Sequence, residues 1–525
     1  MKALFLALAL LHPGPALHGL HVTNGSTPYA GDRRLLATVS PNGDGLRDAA
    51  IVSFRLDRPA TVRMDAVRTD TIRSDRPAEA VVWSQTFRLR AGRREIAWRP
   101  AHSTPPRTYI LRLTAHDSTG TRRYGFYRPG QRVDAPVVRV QGIDAGFTQR
   151  SYAPGQQADL SLATDARQLT LQVFYFRFQR PGELDPKTAG NAMTAPLRIQ
   201  WTHRSAPHRV RFVRAGDWPS GLYFLRASSP DGRLSYAPFI VRPRAFGRQS
   251  RIAVVLSTNT WQAYNFRDAN GDGWGDSWYV SNAIHSVDLE RPFLDFGVPF
   301  RFRDWDLSFI SWLNKTGKQV EYLSDDDLER FASGDQLAAE YDLIVFPGHA
   351  EYMTKHGYDV VERYRDLGGN LMFLSANNFF WKVERKGHRL VRIRQWRDLG
   401  RPEAGLVGVQ YAGSNHGANQ AGFVVTGAAS EPWAFAGTGL VDGSTFGKYG
   451  IEIDDRTPES PPGIQVLARI PDILPNAGRS AEMTYYETPG GAKVFAAGAL
   501  NFAASVDDPV VSRLLENLWA RLAQP

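Results

Sequence analysis

Between Leu35 and Arg132 apolar and polar residues alternate in short runs, among them Ala50 to Leu56, Thr61 to Val67 and Tyr109 to Ala115, separated by Gly, Pro and Asp turns. Alternation of period two buries one face of each run, and runs at this spacing predict a small β-sandwich over residues 33–132. A second stretch of the same texture, residues 135–246, holds candidate strands at Ala158 to Leu162, Leu169 to Phe176, Val210 to Val213 and Leu222 to Ala227. It ends in the polar segment Arg242 to Ser250. Over residues 250–525 the pattern changes to strand and helix in alternation, which predicts an α/β domain with a mostly parallel sheet. Ile252 to Leu256 and Val320 to Leu323 read as strands, Ser308 to Leu313 as an amphipathic helix, and Ser324 as the cap of a short acidic helix. Glu482 to Tyr486 and Lys493 to Ala497 read as an antiparallel pair turned by Pro489, Gly490 and Gly491, and Asp508 with Pro509 opens a last helix running to Leu522.

Within the α/β region, Tyr341 to Trp381 carries the densest chemical signal. An apolar run, Leu343 to Phe346, leads into a Gly-His-x-Glu turn, a segment of helical period, the Gly368-Gly369 stop and a second apolar run ending at Asn377 and Asn378. In open parallel sheets ligands bind outside the carboxyl ends of the strands, so His349, Glu351 and Asn377 are expected to face one crevice.

Composition narrows the reading. A chain of 525 residues with 42% hydrophobic residues builds several cores and excludes wholesale disorder. The net charge of +10 comes mainly from scattered arginine without a dense basic run, which argues against nucleic-acid binding. Cysteine is absent, so disulfides, thiolate nucleophiles and thiolate metal sites are all excluded. Lys2, the apolar run Ala3 to Leu11 and the Pro-Gly-Ala region after it have the layout of a secretory signal, placed at residues 1–20. No other apolar stretch is long enough for a transmembrane span, so a periplasmic or secreted protein is expected.

SPNGDGLRD (Ser40 to Asp48) and TYILRLTAHDSTG (Thr108 to Gly120) resemble the immunoglobulin-like domain of the flagellar hook-cap type, over the first β region only. Asn42, Asp44 and Asp48 either converge on calcium, as hard oxygen donors in a glycine-containing turn, or bond their own backbone. DANGDGWGD (Asp268 to Asp276) begins like an EF-hand loop, with Asp268, Asn270, Asp272 and Asp276 as donors, but Tyr279 stands where the bidentate Glu belongs. A solvated loop without an ion is the alternative there.

STNTWQAYN (Ser257 to Asn265), FPGHAEYMT (Phe346 to Thr354), GGNLMFLSANNFFWKV (Gly368 to Val383) and MTYYETPGGAKVFAAGAL (Met483 to Leu500) resemble the large (beta) subunit of N,N-dimethylformamidase. The resemblance implies a β-sandwich joined to a class I glutamine-amidotransferase-like α/β domain, and a single iron held by two tyrosines and one glutamate. By local context those ligands fall on Tyr223, Tyr264 and Glu351, with His349, Asn377 and Glu487 around them as catalytic groups. It further implies a small linear amide as substrate and a homo-oligomer or a small partner subunit. Phenolate and carboxylate oxygens suit a hard ion, His349 can move a proton near neutrality, Asn377 can donate to an oxyanion, and Glu487 can act as acid or base toward the amine. Each residue also has an ordinary structural role open to it: aromatic packing for both tyrosines, turn capping for Glu351, a carbonyl contact for His349. The leading expectation is a secreted amide hydrolase. The other is a non-catalytic surface or carbohydrate-binding protein that uses Trp261, Trp274 and Trp278 as platforms.

Overall fold

The computed structural model describes residues 14–176, 190–474 and 477–524; the run Ala3 to Leu11 lies outside them. The first sandwich pairs a sheet of Leu17–Thr23, Ala50–Leu56 and Gly92–Trp98 with a six-stranded sheet built on Thr108–Asp117 and Ala60–Arg73. Alternate residues of the two sheets, such as Val52, Phe54, Val62, Met64, Leu111 and Leu113, form its core. Leu17–Thr23 runs antiparallel to Ala50–Leu56 and buries Leu17, Leu20 and Val22. The first sandwich therefore begins inside the span 1–20 assigned above to a signal. At its other end it reaches beyond residue 132, because Val137–Val140 pairs with Thr108–Asp117.

The second sandwich sets Asp144–Phe147, Gln157–Ala163 and His208–Arg214 against a sheet centred on Gln168–Tyr175, Gly221–Ser228 and Leu234–Val241. Both sandwiches contain the same corner device: the Tyr109 hydroxyl donates to the Pro105 carbonyl at 2.9 Å and the Tyr223 hydroxyl to the Pro219 carbonyl at 2.8 Å.

The third region is organised by a nine-stranded sheet. Glu321–Ser324, Ile252–Leu256, Leu343–Phe346, Asn370–Phe373 and Lys493–Ala496 lie side by side and parallel, in that order. Buried on both faces, these strands read as continuous apolar runs rather than alternating ones. Arg479–Glu487, Gln465–Leu474, Ala421–Val425 and Thr445–Tyr449 then extend the sheet antiparallel. Helix Lys355–Asp366 starts where the Thr354 side chain accepts from the Gly357 N–H, and Pro509–Leu522 starts on Asp508 with proline in its first turn. No helix among the described residues is long and apolar enough to cross a membrane.

The two aspartate-rich loops join domains. In Asp268–Asp276, Asp268 accepts the N–H of Gly271 at 2.6 Å and of Gly273 at 2.9 Å, Asp272 that of Trp274, and Asp276 those of Ala269 and Asn270. So shaped, the loop offers its carbonyls to the first sandwich: Arg33 donates to Asn270 and Gly271, Tyr127 to Asp272, and Thr69 to Gly273. Gly273 has φ +89, and a Cβ there would lie 2.4 Å from Ile110, so the glycine is required both by conformation and by close approach. In Ser40–Asp48, Asp48 accepts the N–H groups of Gly43 and Gly45, Asn42 that of Asp44 and Asp44 that of Leu46, while Arg204 of the second sandwich reaches Asp44 at 2.7 Å. Trp261, Trp274 and Trp278 are buried, which removes them as binding platforms: their rings fill the interior instead of facing solvent.

Candidate functional site

The carboxyl ends of the parallel strands bring together side chains from four separate parts of the chain. Helix Thr258–Ala263 follows the strand Ile252–Leu256 and ends at Tyr264. His349 and Glu351 leave Leu343–Phe346, and Asn377 leaves Asn370–Phe373. Glu452 and Asp454 lie on Glu452–Asp455, whose backbone is tied to the exit of Lys493–Ala496 by Asp454 N–H to Gly498 O at 3.0 Å and Leu500 N–H to Glu452 O at 3.1 Å.

Glu351 is fixed from both sides. Its N–H donates to Thr260 Oγ1 at 3.2 Å, one turn from Tyr264, and its carbonyl accepts from the Trp381 N–H at 2.9 Å. The Tyr264 hydroxyl donates to the Glu351 carboxylate, and the Tyr352 hydroxyl interacts with both. Burial, and after it the Glu351 charge, pushes both phenols well above the ordinary tyrosine value.

His349 Nδ1 lies 3.1 Å from the Ala376 carbonyl, which only accepts, so Nδ1 carries a hydrogen and Nε2 faces the site. Nε2 is 3.5 Å from Glu351, 3.6 Å from Glu452 and 3.5 Å from the Tyr264 hydroxyl. Burial alone would depress the imidazole; Glu452 and then Glu351 outweigh it and raise it to about 9. Burial pushes Glu452 up to about 7 against the pull of His349, and pushes Asp454 to about 8. At neutral pH the cluster therefore stores protons on more than one group.

Asn377 organises the acidic side. Its N–H donates to both Asp454 oxygens, at 2.8 and 3.0 Å, and its amide nitrogen donates to Glu452 at 3.0 Å. Asn377 and Phe379 hold φ of +57 and +56. Asparagine tolerates the left-handed region, whereas phenylalanine does so only where the surroundings enforce it, so this turn carries backbone strain beside the site. Asn377 Oδ1 is buried without a partner among the described residues.

Two residues that the sequence assigned to the site are placed elsewhere. Tyr223 belongs to the core of the second sandwich, stacked between Trp218 and Phe239, with its hydroxyl committed to Pro219. Glu487 bonds Tyr485 and Arg521 and lies opposite Lys493, at the amino end of the parallel strands, because its own strand runs antiparallel to them. Conversely, Tyr352, Glu452 and Asp454 escaped the sequence reading. Glu452 and Asp454 alternate with Ile451 and Ile453 on entering a short, mostly buried strand, a signal that was present; Tyr352 was hidden by its position immediately after Glu351. Among the described residues no three His, Asp or Glu side chains form a metal cage. A cavity of about 740 Å³ lined by Phe224, Phe296, Phe300 and Arg301 does not contain the cluster; Phe300, whose ring centroid is 6.4 Å from that of Tyr264, stands between them.

Residues 181–513 match the family described as N,N-dimethylformamidase beta subunit-like, C-terminal. The N,N-dimethylformamidase beta subunit of Paracoccus aminophilus is 25% identical over 382 residues, covering 54% of this chain and 50% of that protein. The beta subunit from an Alcaligenes species is 25% identical over 275 residues, covering 41% of this chain and 36% of its own. The chain thus spans half or less of the length of these curated relatives. Tyr264, His349, Glu351, Tyr352, Asn377, Glu452 and Asp454 all fall within the matched region, which takes in well over half of the sequence, and the chain belongs to the N,N-dimethylformamidase beta subunit-like family.

Proposed function

We propose that this chain is a periplasmic or secreted metal-dependent hydrolase of C–N bonds in small linear amides, on a glutamine-amidotransferase-like α/β domain, with iron held by Tyr264, Tyr352 and Glu351. The observation that carries the reading is the meeting of two buried phenols on one carboxylate at the crevice of the parallel sheet. Tyr352 thereby replaces Tyr223 in the ligand set. The donor set fits a hard cation: all three groups present oxygen, and ionisation of either phenol beside Glu351 requires positive charge. An iron ion bound there would supply Lewis acidity toward an amide carbonyl and lower the pKa of bound water.

The remaining steps belong to the chain's own side chains. Glu452, poised near neutrality, takes a proton from the attacking water. His349, held by Ala376 with Nε2 toward the site, gives a proton to the departing nitrogen. Asn377 uses one amide hydrogen to orient Glu452 and has a second with which to meet the carbonyl oxygen. Asp454 fixes the strained turn that aims Asn377. The names of the relatives support dimethylformamide or a related small amide as substrate, and their being beta subunits supports a partner subunit or oligomer.

The test is to incubate purified iron-loaded protein with formamide, N-methylformamide and N,N-dimethylformamide and to measure amine release. Hydrolysis of at least one amide, lost in Glu351→Gln and His349→Ala, is the expected result. Inactivity of metal-loaded wild-type protein toward all three, with or without a partner subunit, would overturn it.

A further inference from the structure

The first sandwich lies outside the residues that match the family, yet one of its hairpins reaches the candidate site. Its strands, Ala60–Arg73 and Arg76–Leu89, are 14 residues each, and the tip between them, Ser74 and Asp75, is left-handed at φ +47 and +52. Such a two-residue turn follows the twist of a long hairpin. At the tip the Asp75 carbonyl accepts from the Tyr279 hydroxyl at 2.6 Å, and the Asp75 carboxylate accepts from Arg301 at 2.8 Å.

Both partners belong to the wall around Tyr264. The Tyr279 ring meets the Tyr264 ring edge-on, with centroids 5.3 Å apart. Phe300, the neighbour of Arg301 in the chain, packs on Tyr279 at 5.3 Å and on Tyr264 at 6.4 Å. The Asp75 side chain is 12% exposed, so its bond to Arg301 is made largely out of water, where a charge-assisted hydrogen bond is strongest. Turn chemistry alone explains an aspartate at a left-handed tip. It does not explain one partner, Tyr279, that packs on Tyr264 and another, Arg301, that lies over Phe300, which packs on the same phenol.

We propose that Asp75 is a positioning residue of the candidate site: the first sandwich completes one wall of it by holding Tyr279 and Arg301, and so governs how substrate is seated beside Tyr264. Only the kinetic part of its test rests on the amide-hydrolase reading.

The experiment compares full-length wild type with Asp75→Gly, which keeps the left-handed backbone and the carbonyl for Tyr279 but deletes the carboxylate, and Asp75→Asn, which keeps an acceptor for Arg301. In fluorotyrosine-labelled protein without metal, the Tyr264 and Tyr279 fluorine resonances, assigned with Tyr264→Phe and Tyr279→Phe, are expected to shift in Asp75→Gly and return toward wild type in Asp75→Asn. On the amide that wild type hydrolyses, Asp75→Gly is expected to raise KM about ten-fold with kcat within about two-fold, and Asp75→Asn to restore most of the loss. An unmoved Tyr264 resonance in Asp75→Gly overturns the proposal, and so does a shifted resonance with KM and kcat both unchanged. If wild type hydrolyses no amide, the functional reading fails while the resonances alone decide whether Asp75 sets the wall.

Discussion

Asp306 offers a quantitative test of the electrostatics around the site. Its carboxyl is 1% exposed; one oxygen accepts from the Trp261 indole at 3.2 Å, the other has no partner among the described residues, and Gly348 approaches so closely that a Cβ there would lie 2.4 Å away. Burial raises it from 3.8 to about 7. The native state therefore holds this proton more tightly than the unfolded chain. Its contribution is fully present below the unfolded value of 3.8 and is lost as pH rises through about 7. The whole shift is bounded at ~4 kcal/mol, and the part that develops between pH 5 and pH 8 at ~3 kcal/mol. Relaxation around the charge reduces the latter to about 2 kcal/mol. Asp306→Asn replaces the carboxyl with a neutral group of the same shape that still accepts from Trp261. Urea unfolding of both proteins at pH 5 and pH 8 should show the variant gaining about 2 kcal/mol on wild type between the two values. A difference independent of pH, or one that favours wild type more at pH 8, would refute a buried, proton-holding Asp306.

Three further outcomes are expected. Gly273→Ala, at φ +89 with Ile110 in the path of the new Cβ, should destabilise the protein by about 2–4 kcal/mol in denaturant unfolding; an unchanged midpoint would mean that the loop does not dock as described. Tyr223→Phe should cost about 1 kcal/mol of stability through the lost Pro219 bond and leave bound metal unchanged, whereas loss of metal would return Tyr223 to the ligand set. Glu487→Gln should keep kcat/KM within about two-fold of wild type, because its partners are Tyr485 and Arg521 at the amino end of the parallel strands, opposite the crevice; a hundred-fold fall would place it at the site after all.

Much of this was legible in the sequence, for physical reasons. Continuous apolar runs marked the doubly buried strands, and polar residues just past them marked the crevice, so His349, Glu351 and Asn377 could be gathered from local pattern, whereas Tyr264 was reached only through the family resemblance. What stayed hidden depends on three-dimensional direction. Glu487 ends a strand as Glu351 follows one, but that strand is antiparallel to its neighbours, so its carboxyl end falls at the amino end of the parallel strands. Tyr223 and Tyr352 both neighbour apolar residues in sequence; only packing decides that one hydroxyl turns back to a proline carbonyl and the other toward Glu351. The glycine and aspartate pattern of Asp268–Asp276 offered an incomplete ion loop or a solvated loop without an ion, and the partners it meets, Arg33, Thr69 and Tyr127, lie in another domain. Asp75 carries no local signal at all, because its partners are more than 200 residues away along the chain.

The proposed oxygen-donor centre for iron consists of Tyr264, Tyr352 and Glu351. It is tested most directly by metal content and visible absorbance of the purified protein after loading with ferric iron. About one iron per chain is expected, with a tyrosinate-to-iron absorption band that is lost or strongly shifted in Tyr264→Phe and in Tyr352→Phe but retained in Tyr223→Phe. A colourless protein that binds no iron, or a band indifferent to Tyr264→Phe, would contradict it.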